Sequence, residues 1–318
     1  MDLLRARGTV PRHEGLLRER VVSVGGLNVH IFEAGPRAKS GVTPLVLLHG
    51  VGGCAEEWGP CMAYLAEHVP VIAPDLPGHG ESDRPAAIYD LEYYLTFLDG
   101  LFAALEVATI DLAGWSAGGA LALAYALRRP ACVRRLALIA SAGLGREVSW
   151  RYRILALPFI VRAARPLPFP LFRVLERSLY FDPACLNEAL VLRKYQHMCR
   201  AGAVAAFVAT VRWGMGLSGQ RVILLPRLRE LRAPLLILWG DRDPVLPVEH
   251  ALAAHQAAPG SRLVLLQRCG HMGPLEYPRE VAGELLRHVQ IPERADVSAQ
   301  PGEAPADATS PPSTVARG

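Results

Sequence analysis

The amino-acid sequence predicts an α/β protein with a mostly parallel sheet of eight strands and helices on both faces. Short runs that are apolar throughout, such as "TPLVLLHG" at 43–50, alternate with longer stretches of helical periodicity. Such strands are typical of parallel sheets that are covered on both faces, and their alternation with helices indicates an α/β fold. A Gly25-Gly26 pair inside "VVSVGGLNVHIF" (21–32) adds an antiparallel hairpin at the start.

The predicted elements follow one another in a regular order along the chain. After the hairpin, buried strands rich in Val, Leu and Ile are predicted at 43–50, 71–75, 109–114, 135–141, 234–241 and 261–267. Apolar residues three and four positions apart predict helices at 61–68, 89–105, 117–129, 248–257 and 278–289. Most of these helices fall between two strands, as the crossover connections of parallel strands require.

One long segment interrupts this alternation. Residues 144–231 show helical periodicity and several prolines but no convincing core strand, and the segment is too long for a loop within a compact domain. We therefore expect a helical cap inserted over the sheet. The core then consists of 21–143 and 232–291, preceded by an N-terminal extension at 1–20. The tail at 292–318 contains mainly Pro, Ala, Ser, Gly and acidic residues, which predict disorder.

Composition excludes several classes of function. The net charge of +4 over 318 residues is too small to indicate a nucleic-acid partner. The six cysteines have neither CxxC nor zinc-ligand spacing, so we expect reduced thiols and no metal site. Residues 1–20 contain no apolar core for a signal peptide, and no apolar stretch approaches the ~20 residues that span a bilayer. These observations predict a cytoplasmic protein, with a monomer or homodimer as the default.

A serine lies at the junction of a predicted strand and helix in "LAGWSAGGALALAYAL" (112–127). The residues GWSAG at 114–118 match the pattern G-x-S-x-G in the strand–turn–helix context that this pattern requires. The sharp turn strains the backbone at the serine, and side chains in place of the glycines would collide with neighbouring elements. We therefore predict Ser116 as a nucleophile, with the Ala117 N–H at the start of the helix directed at a developing oxyanion.

A serine hydroxyl is a weak nucleophile that needs a base, and the base needs a partner to orient it. The loop "WGDRDPVLP" (239–247) offers Asp241 and Asp243 after a strand, and "CGHMGPLEYP" (269–278) offers His271 after the last strand. Asp243 is favoured as the orienting acid because it lies further into its loop and a proline stiffens the next step. Asp241, at the strand end, is expected to fix the loop through hydrogen bonds.

The loop after the first parallel strand, "HGVGG" (49–53), is expected to supply a second oxyanion donor. Its small residues let the backbone approach a substrate carbonyl. The N–H of Val51 is the first choice and that of Gly52 the second. His49 is expected to hold the loop by hydrogen bonds rather than to act as a base.

Together these motifs resemble the α/β-hydrolase superfamily over about residues 22–290. The resemblance rests on five stretches in family order, which are LLHGVGG, DLPGHGESD, GWSAGG, GDRDPVLP and GHMGPLEYP. It implies an α/β-hydrolase fold in which Ser116 is the nucleophile, His271 the base and Asp243 the orienting acid. Enzymes of this kind need no metal and no organic cofactor for the reaction, so none is expected here.

The same resemblance implies an oxyanion hole made by the Val51 and Ala117 N–H groups. It also makes the insertion at 144–231 a cap that lines the substrate pocket. The other residues expected in this pocket are His49, Gly50, Gly52, Trp115 and Met272.

The resemblance leaves the reaction open between ester and carbon–carbon bond hydrolysis. The cap sequence contains the aromatic residues Phe159, Phe169, Phe172, Tyr180 and Phe181. They favour an apolar carboxylic ester of small to medium size as the substrate. The alternative is a vinylogous 1,5-diketone, cleaved as in the meta-cleavage product hydrolases. Those enzymes tend to have a polar residue where this chain has Trp115 and a Trp where it has Met272, which weakens the alternative. A third hypothesis is a non-catalytic binding protein with the same fold.

Two further interpretations are weaker. The residues GVGGCA at 50–55 fit the dinucleotide pattern G-x-G-x-x-A, and Asp75 lies about 20 residues on, but this pattern leaves the serine, acid and histidine unexplained. The stretch at 151–181 is apolar and arginine-rich, as a membrane-surface helix would be, but its prolines break any long amphipathic helix. A cap that lines a small-molecule pocket is therefore favoured over contact with a membrane.

Overall fold

An eight-stranded sheet forms the centre of the computed structural model, which describes residues 17–36, 42–155 and 166–290. Its strands are β1 (Leu17–Val24), β2 (Leu27–Ala34), β3 (Leu45–Leu48), β4 (Val71–Pro74), β5 (Ile110–Trp115), β6 (Val133–Ile139), β9 (Leu235–Gly240) and β10 (Arg262–Leu266). Two short strands, β7 (Met215–Gly216) and β8 (Gly219–Gln220), form a separate antiparallel ribbon.

The strand order in the sheet is β1-β2-β4-β3-β5-β6-β9-β10. The pairs β1–β2 and β2–β4 are antiparallel, and all the other neighbouring pairs are parallel. Every residue of β3, β4 and β5 is buried, as a strand covered on both faces must be. The predicted fold class, a mostly parallel sheet of eight strands with flanking helices, is confirmed.

Five of the described helices lie close to the five predicted at 61–68, 89–105, 117–129, 248–257 and 278–289. The described α-helices are α1 (Gly59–Leu65), α2 (Leu91–Ala104), α3 (Ala117–Arg128), α4 (Trp150–Leu155), α5 (Phe169–Arg177), α6 (Glu188–Met198), α7 (Ala203–Gly214), α8 (Glu249–Ala257), α9 (Gly273–Glu276) and α10 (Pro278–Gln290). Helix α1 packs against α10, and α2 packs against α3. Among the helices that the structure describes, none is both long and apolar enough to cross a membrane.

The first strand begins earlier than the sequence predicts. The predicted N-terminal extension at 1–20 overlaps β1, because Leu17 to Arg20 pair with Ile31 to Ala34 on β2. Three of these four residues are exposed and two of them are arginines, so the segment lacks the apolar alternation of a half-buried strand. The Arg20 guanidinium instead bonds the Glu33 carboxylate across the hairpin at 2.9 Å. Residues 1–16 and the tail at 292–318 lie outside the described residues.

Helices α4 to α7 and the β7–β8 ribbon lie between β6 and β9, in the segment that we call the insertion (144–231). Helix α6 is joined to the core by the ion pairs Arg193–Glu56 and Lys194–Glu57. Arg200, two residues after the helix, forms a third ion pair with Glu81 of the core. The part of the insertion at 156–165, which includes Phe159, lies outside the described residues. The insertion therefore contacts the core through charged groups near the carboxyl ends of the parallel strands.

Candidate active site

The predicted site residues follow the carboxyl ends of parallel strands. Ser116 comes directly after β5, Asp243 comes three residues after β9, and His271 comes five residues after β10. The loop at 49–53 follows β3, which is the neighbour of β5 in the sheet. Because parallel strands end at one edge of a sheet, the fold brings these four segments together, where ligands bind in open α/β sheets.

Ser116 has a strained backbone at the turn between β5 and α3. Its φ and ψ are 56° and −121°, a backbone conformation that residues other than glycine rarely adopt. Gly114 and Gly118 let this turn form, since a Cβ on Gly114 would lie 2.2 Å from the Gly118 carbonyl oxygen. A Cβ on Gly118 would lie 2.5 Å from the carbonyl oxygens of Leu48 and His49. The glycines are therefore required by close backbone approach around a serine that faces the cavity described below.

His271 and Asp243 form a hydrogen-bonded pair. Nδ1 of His271 lies 2.8 Å from Oδ2 of Asp243, and the two side chains are 5% and 0% exposed. The other Asp243 oxygen, Oδ1, accepts the N–H groups of Val245 (2.8 Å) and Leu246 (3.0 Å). An ionised Asp243 fixes the imidazole tautomer with the proton on Nδ1, so that Nε2 is left as the basic nitrogen.

The backbone of His271 is held from two sides. Nε1 of Trp115, next to the serine, donates to the His271 carbonyl oxygen at 2.9 Å. The His271 N–H donates to the carbonyl oxygen of Leu179 in the insertion, also at 2.9 Å. Within the described chain no hydrogen bond joins the Ser116 hydroxyl to the His271 ring, and such bonds often tighten only when substrate is bound. Both side chains nevertheless line the same cavity.

Asp241 occupies a different position from Asp243. Its Oδ1 accepts the N–H of Cys269 at 3.3 Å, which ties the loop after β9 to the loop that carries His271. The structure therefore brings Asp243, and not Asp241, to the histidine.

Glu276 connects the histidine loop to the insertion. Its Oε1 accepts the Gly270 N–H at 2.8 Å, and its Oε2 accepts the N–H groups of Phe181 (2.9 Å) and Asp182 (3.2 Å). Burial raises the pKa of this carboxyl, against the lowering effect of its three N–H donors. The loop that carries His271 is thus bonded to a segment of the insertion.

The two predicted oxyanion donors lie at the wall between two cavities. Val51 lines both a large and a small cavity, and Ala117 at the first position of α3 lines the small one. Within the described residues neither N–H donates a hydrogen bond, so both are free for a ligand oxygen. His49 is fully buried beneath this loop, where its Nε2 accepts the Leu76 N–H at 3.0 Å. It contributes to the small cavity rather than to the large one.

The large cavity has a volume of about 480 Å³ and opens over Ser116 and His271. The predicted pocket residues Gly50, Gly52, Trp115 and Met272 all line it. The insertion contributes apolar side chains that the sequence prediction did not name, which are Leu167, Leu175, Leu179, Met198, Phe207 and Val208. Of the aromatic residues expected in the cap, Phe172 lines the cavity. The small cavity measures about 60 Å³.

A charged cluster in the cavity wall was not predicted from the sequence. Nζ of Lys194 lies 2.8 Å from Glu57 Oε1 and 2.6 Å from Glu176 Oε2. Burial acts to lower the pKa of Lys194, but the two carboxylates outweigh it and raise the pKa well above its usual value. Burial also raises the pKa of Glu176. The sequence held one signal, since all the basic residues except Lys194 and Lys39 are arginines.

Asp75, which a dinucleotide site would direct at a ribose, is turned inward. Its Oδ1 accepts the Ala55 N–H at 2.7 Å, and its Oδ2 accepts the Glu81 N–H at 2.9 Å and contacts His30. Although burial acts to raise it, the hydrogen bonds hold the pKa of Asp75 below its usual value. The carboxylate therefore braces the loops behind the site. No group of three metal-ligating side chains is present within the described ranges.

The chain is similar to several known proteins. A family model described as the alpha/beta hydrolase family matches residues 45–284. An uncharacterized protein of Mycobacterium tuberculosis is 32% identical over 284 residues, which cover 86% of this chain and 81% of that protein. A 2-hydroxy-6-oxo-2,4-heptadienoate hydrolase of Pseudomonas putida is 32% identical over 275 residues, which cover 82% and 92% of the two chains.

Solved structures show the same likeness. The structure of a membrane phospholipase A, described as a bacterial virulence factor, superposes with a TM-score of 0.72 at 30% sequence identity. The match covers 86% of each chain.

Proposed function

The chain belongs to the alpha/beta hydrolase family, and from this premise we propose that it is a serine hydrolase that cleaves carboxylic esters through an acyl-enzyme. The observation that carries the proposal is the His271–Asp243 pair, 2.8 Å apart, which meets the strained Ser116 at one mostly apolar cavity. A nucleophile, a base and an orienting acid in these positions form the arrangement that activates a serine hydroxyl.

The proposed reaction follows from the geometry of these groups. Nε2 of His271 accepts the proton of the Ser116 hydroxyl as its oxygen attacks the ester carbonyl, and Asp243 stabilises the imidazolium that forms. The free N–H groups of Val51 and Ala117 bind the oxyanion of the tetrahedral intermediate. His271 then protonates the leaving alcohol, and a water molecule, deprotonated by the same nitrogen, cleaves the acyl-enzyme.

The cavity favours an apolar substrate of small to medium size. Its volume of about 480 Å³ lies within the range of ~300–1,000 Å³ that is usual for small-molecule sites. We propose that the insertion serves as the cap, since its apolar side chains form much of the cavity wall over Ser116. An acyl or alcohol group with a hydrocarbon body would bury its surface against them.

Hydrolysis of a carbon–carbon bond in a diketone is the second candidate. It is favoured by the Pseudomonas putida relative, which is named as a hydrolase of a 2-hydroxy-6-oxo dienoate. The side chains of Trp115 and Met272 make the wall beside Ser116 apolar at the two positions where the sequence departs from that class. Ester hydrolysis therefore remains the first proposal.

The test uses p-nitrophenyl esters of short and medium chain length, with purified wild type, Ser116→Ala and Ser261→Ala. Release of p-nitrophenol by wild type and by Ser261→Ala, but not by Ser116→Ala, is the expected result. Ser261 is a matched control because its hydroxyl bonds His255, outside the cavity. A fluorophosphonate probe is expected to label Ser116.

Three other outcomes are informative. If the folded wild type neither hydrolyses the esters nor reacts with the fluorophosphonate, Ser116 is not the nucleophile and a non-catalytic binding protein becomes the better hypothesis. Labelling without ester turnover would point to carbon–carbon bond hydrolysis, which a dienoate substrate would test directly. Equal turnover by wild type and Ser116→Ala would show that the esters are cleaved elsewhere.

A further inference from the structure

Three charged side chains meet at one wall of the apolar cavity. Lys194 on α6 lies between Glu57 of the core and Glu176 on α5, at 2.8 Å and 2.6 Å. The side chains of Lys194, Glu57 and Glu176 are 5%, 2% and 13% exposed, and all three line the cavity. Charges so far from solvent require full compensation by hydrogen bonds and partners.

The described part of the chain does not pair every hydrogen-bonding group of this cluster. Both oxygens of Glu57 are used, since Oε1 binds Lys194 and Oε2 accepts the Cys54 N–H at 3.0 Å. Lys194 has three N–H donors, of which two are directed at carboxylates. Only Oε2 of Glu176 has a partner among the described residues. With respect to the described residues, one N–H donor and one carboxylate oxygen are therefore available to a ligand.

A structural link between the insertion and the core does not require Glu176. The Lys194–Glu57 pair, together with Arg193–Glu56, already joins α6 to the core, and each pair carries no net charge. Glu176 adds a second buried carboxylate at the wall of an apolar cavity, where burial is costly. Its presence is explained if its free oxygen accepts a hydrogen bond from a bound molecule.

The charges around the cluster indicate what kind of group it binds. Arg151, whose guanidinium donates to Ser178 Oγ at 2.7 Å, also lines the cavity. Among the described residues, two carboxylates and two cations thus face the same space, and the formal charges of these four groups cancel. A cavity without net charge favours neither a carboxylate nor an ammonium group, whereas a neutral group that both donates and accepts fits the free donor and acceptor.

We propose that Lys194 and Glu176 form a polar subsite that binds a hydroxyl group of the substrate. The hydroxyl donates to Glu176 Oε1 and accepts from Lys194 Nζ. This inference rests on the proposed function, and it adds that the substrate is an apolar ester that carries an alcohol group. Hydrogen bonds to buried charged partners discriminate strongly against analogues that lack the polar group.

The experiment compares p-nitrophenyl esters of straight-chain acids with six, eight and ten carbons. Each chain ends in a methyl, a hydroxymethyl, a carboxylate or an ammonium group. For at least one length, the wild type is expected to cleave the hydroxyl ester with a kcat/KM roughly 10- to 100-fold above that of the methyl ester. A ratio at or below one for all three lengths, or a higher kcat/KM for a charged terminus, would overturn the proposal.

Two variants locate the effect. In Glu176→Met the side chain keeps its length, Lys194 keeps its partner Glu57, and the hydroxyl-to-methyl ratio is expected to fall to about one. The matched control is Glu188→Met, which removes a glutamate that pairs with Arg173 outside the cavity, and it is expected to keep the wild-type ratio. If Glu176→Met does not fold, Glu176→Gln takes its place. Its amide oxygen can pair with Lys194, which leaves an N–H donor where the wild type has the carboxylate oxygen, and the hydroxyl-to-methyl ratio of kcat/KM is expected to fall.

Failure of this inference differs from failure of the proposed function. If the methyl esters are cleaved and Ser116 is labelled by a fluorophosphonate, but the ratio never exceeds one, the hydrolase assignment holds and the polar subsite is refuted. If the glutamate variants keep the wild-type preference, the hydroxyl is bound elsewhere. If no ester is cleaved and Ser116 is not labelled, both proposals fall together.

Discussion

The substitution Gly118→Ala tests whether close approach of α3 to β3 builds the oxyanion hole. Gly118 is the second residue of α3, and an added Cβ would lie 2.5 Å from the carbonyl oxygens of Leu48 and His49. Cβ contacts under 3.0 Å are essentially never observed, so the helix and the end of β3 must separate by at least 0.5 Å. Because the atoms that the methyl group meets belong to the backbone of a buried strand, no side chain can rotate away to relieve the contact.

Two measurable losses follow from this separation. Overpacking in a core costs ~1–3 kcal/mol, and the better helix propensity of alanine offsets ~1 kcal/mol of it. We expect the upper part of that range here, and hence a free energy of unfolding that is lower by ~1–2 kcal/mol. The same movement separates the N–H groups of Val51 and Ala117. Because a misplacement of ~1 Å costs on the order of 100-fold in rate, kcat should fall by roughly 10- to 100-fold.

Urea unfolding and ester hydrolysis measure the two effects, with Gly283→Ala as the matched control. Gly283 lies inside α10, and its Cβ would meet only the Arg287 side chain, at 3.9 Å. This variant is expected to gain up to ~1 kcal/mol from helix propensity and to keep the wild-type kcat. If Gly118→Ala proved as stable and as active as Gly283→Ala, the packing of α3 on β3 would not set the oxyanion hole as described.

The remaining predictions concern the histidine loop and the pH dependence of stability. Asp243→Asn is expected to lower kcat by ~10⁴-fold in a folded protein, whereas Asp241→Asn should lower it by less than ~10-fold, and equal losses would contradict the assignment of the acid. Trp115→Phe removes the hydrogen bond to the His271 carbonyl and is expected to cost ~1–2 kcal/mol in urea unfolding, so an unchanged midpoint would refute that role. Burial, with Arg135 nearby, lowers the pKa of His288 to about 4, so the folded state binds fewer protons than the unfolded state between pH 6.5 and 4. The contribution of His288 to the free energy of unfolding is complete above pH 6.5, and between pH 6.5 and 4 it decreases by ~1.4 kcal/mol for each unit that the pH falls. In His288→Gln, the slope of unfolding free energy against pH in this window is expected to be smaller by that amount, and an unchanged slope would contradict the prediction.

The parts of the fold that the sequence predicts correctly are those set by local patterns. Strand β5 and helix α3 were readable because an apolar run gives way to glycines around Ser116 and then to helical periodicity. The pairing of His271 with Asp243 was predicted from the order of the serine, acid and histidine along the chain, which resembles that of the α/β-hydrolase superfamily. The hydrogen bond between the two side chains came from the structure.

Features that depend on distant segments were not predictable. The first four residues of β1 are mostly polar, and they form a strand through their pairing with Ile31 to Ala34 on β2. The cluster of Lys194, Glu57 and Glu176 joins three separate elements, and no periodicity relates residues so far apart in the chain. Asp75 matched a dinucleotide motif by spacing alone, and its inward hydrogen bonds agree with the sequence argument against that role.

The bonds that Glu276 and Leu179 make have a consequence for exchanging parts between relatives. Residues 179–182 of the insertion hold the backbone of the loop that carries His271, so the insertion is not an independent module. If the insertion is replaced by the corresponding segment of another hydrolase, the residues that bond the His271 loop are replaced with it. The exchange should therefore keep both the carboxylate at Glu276 and a carbonyl acceptor at the position of Leu179. Without them, we expect turnover to change as well as substrate preference.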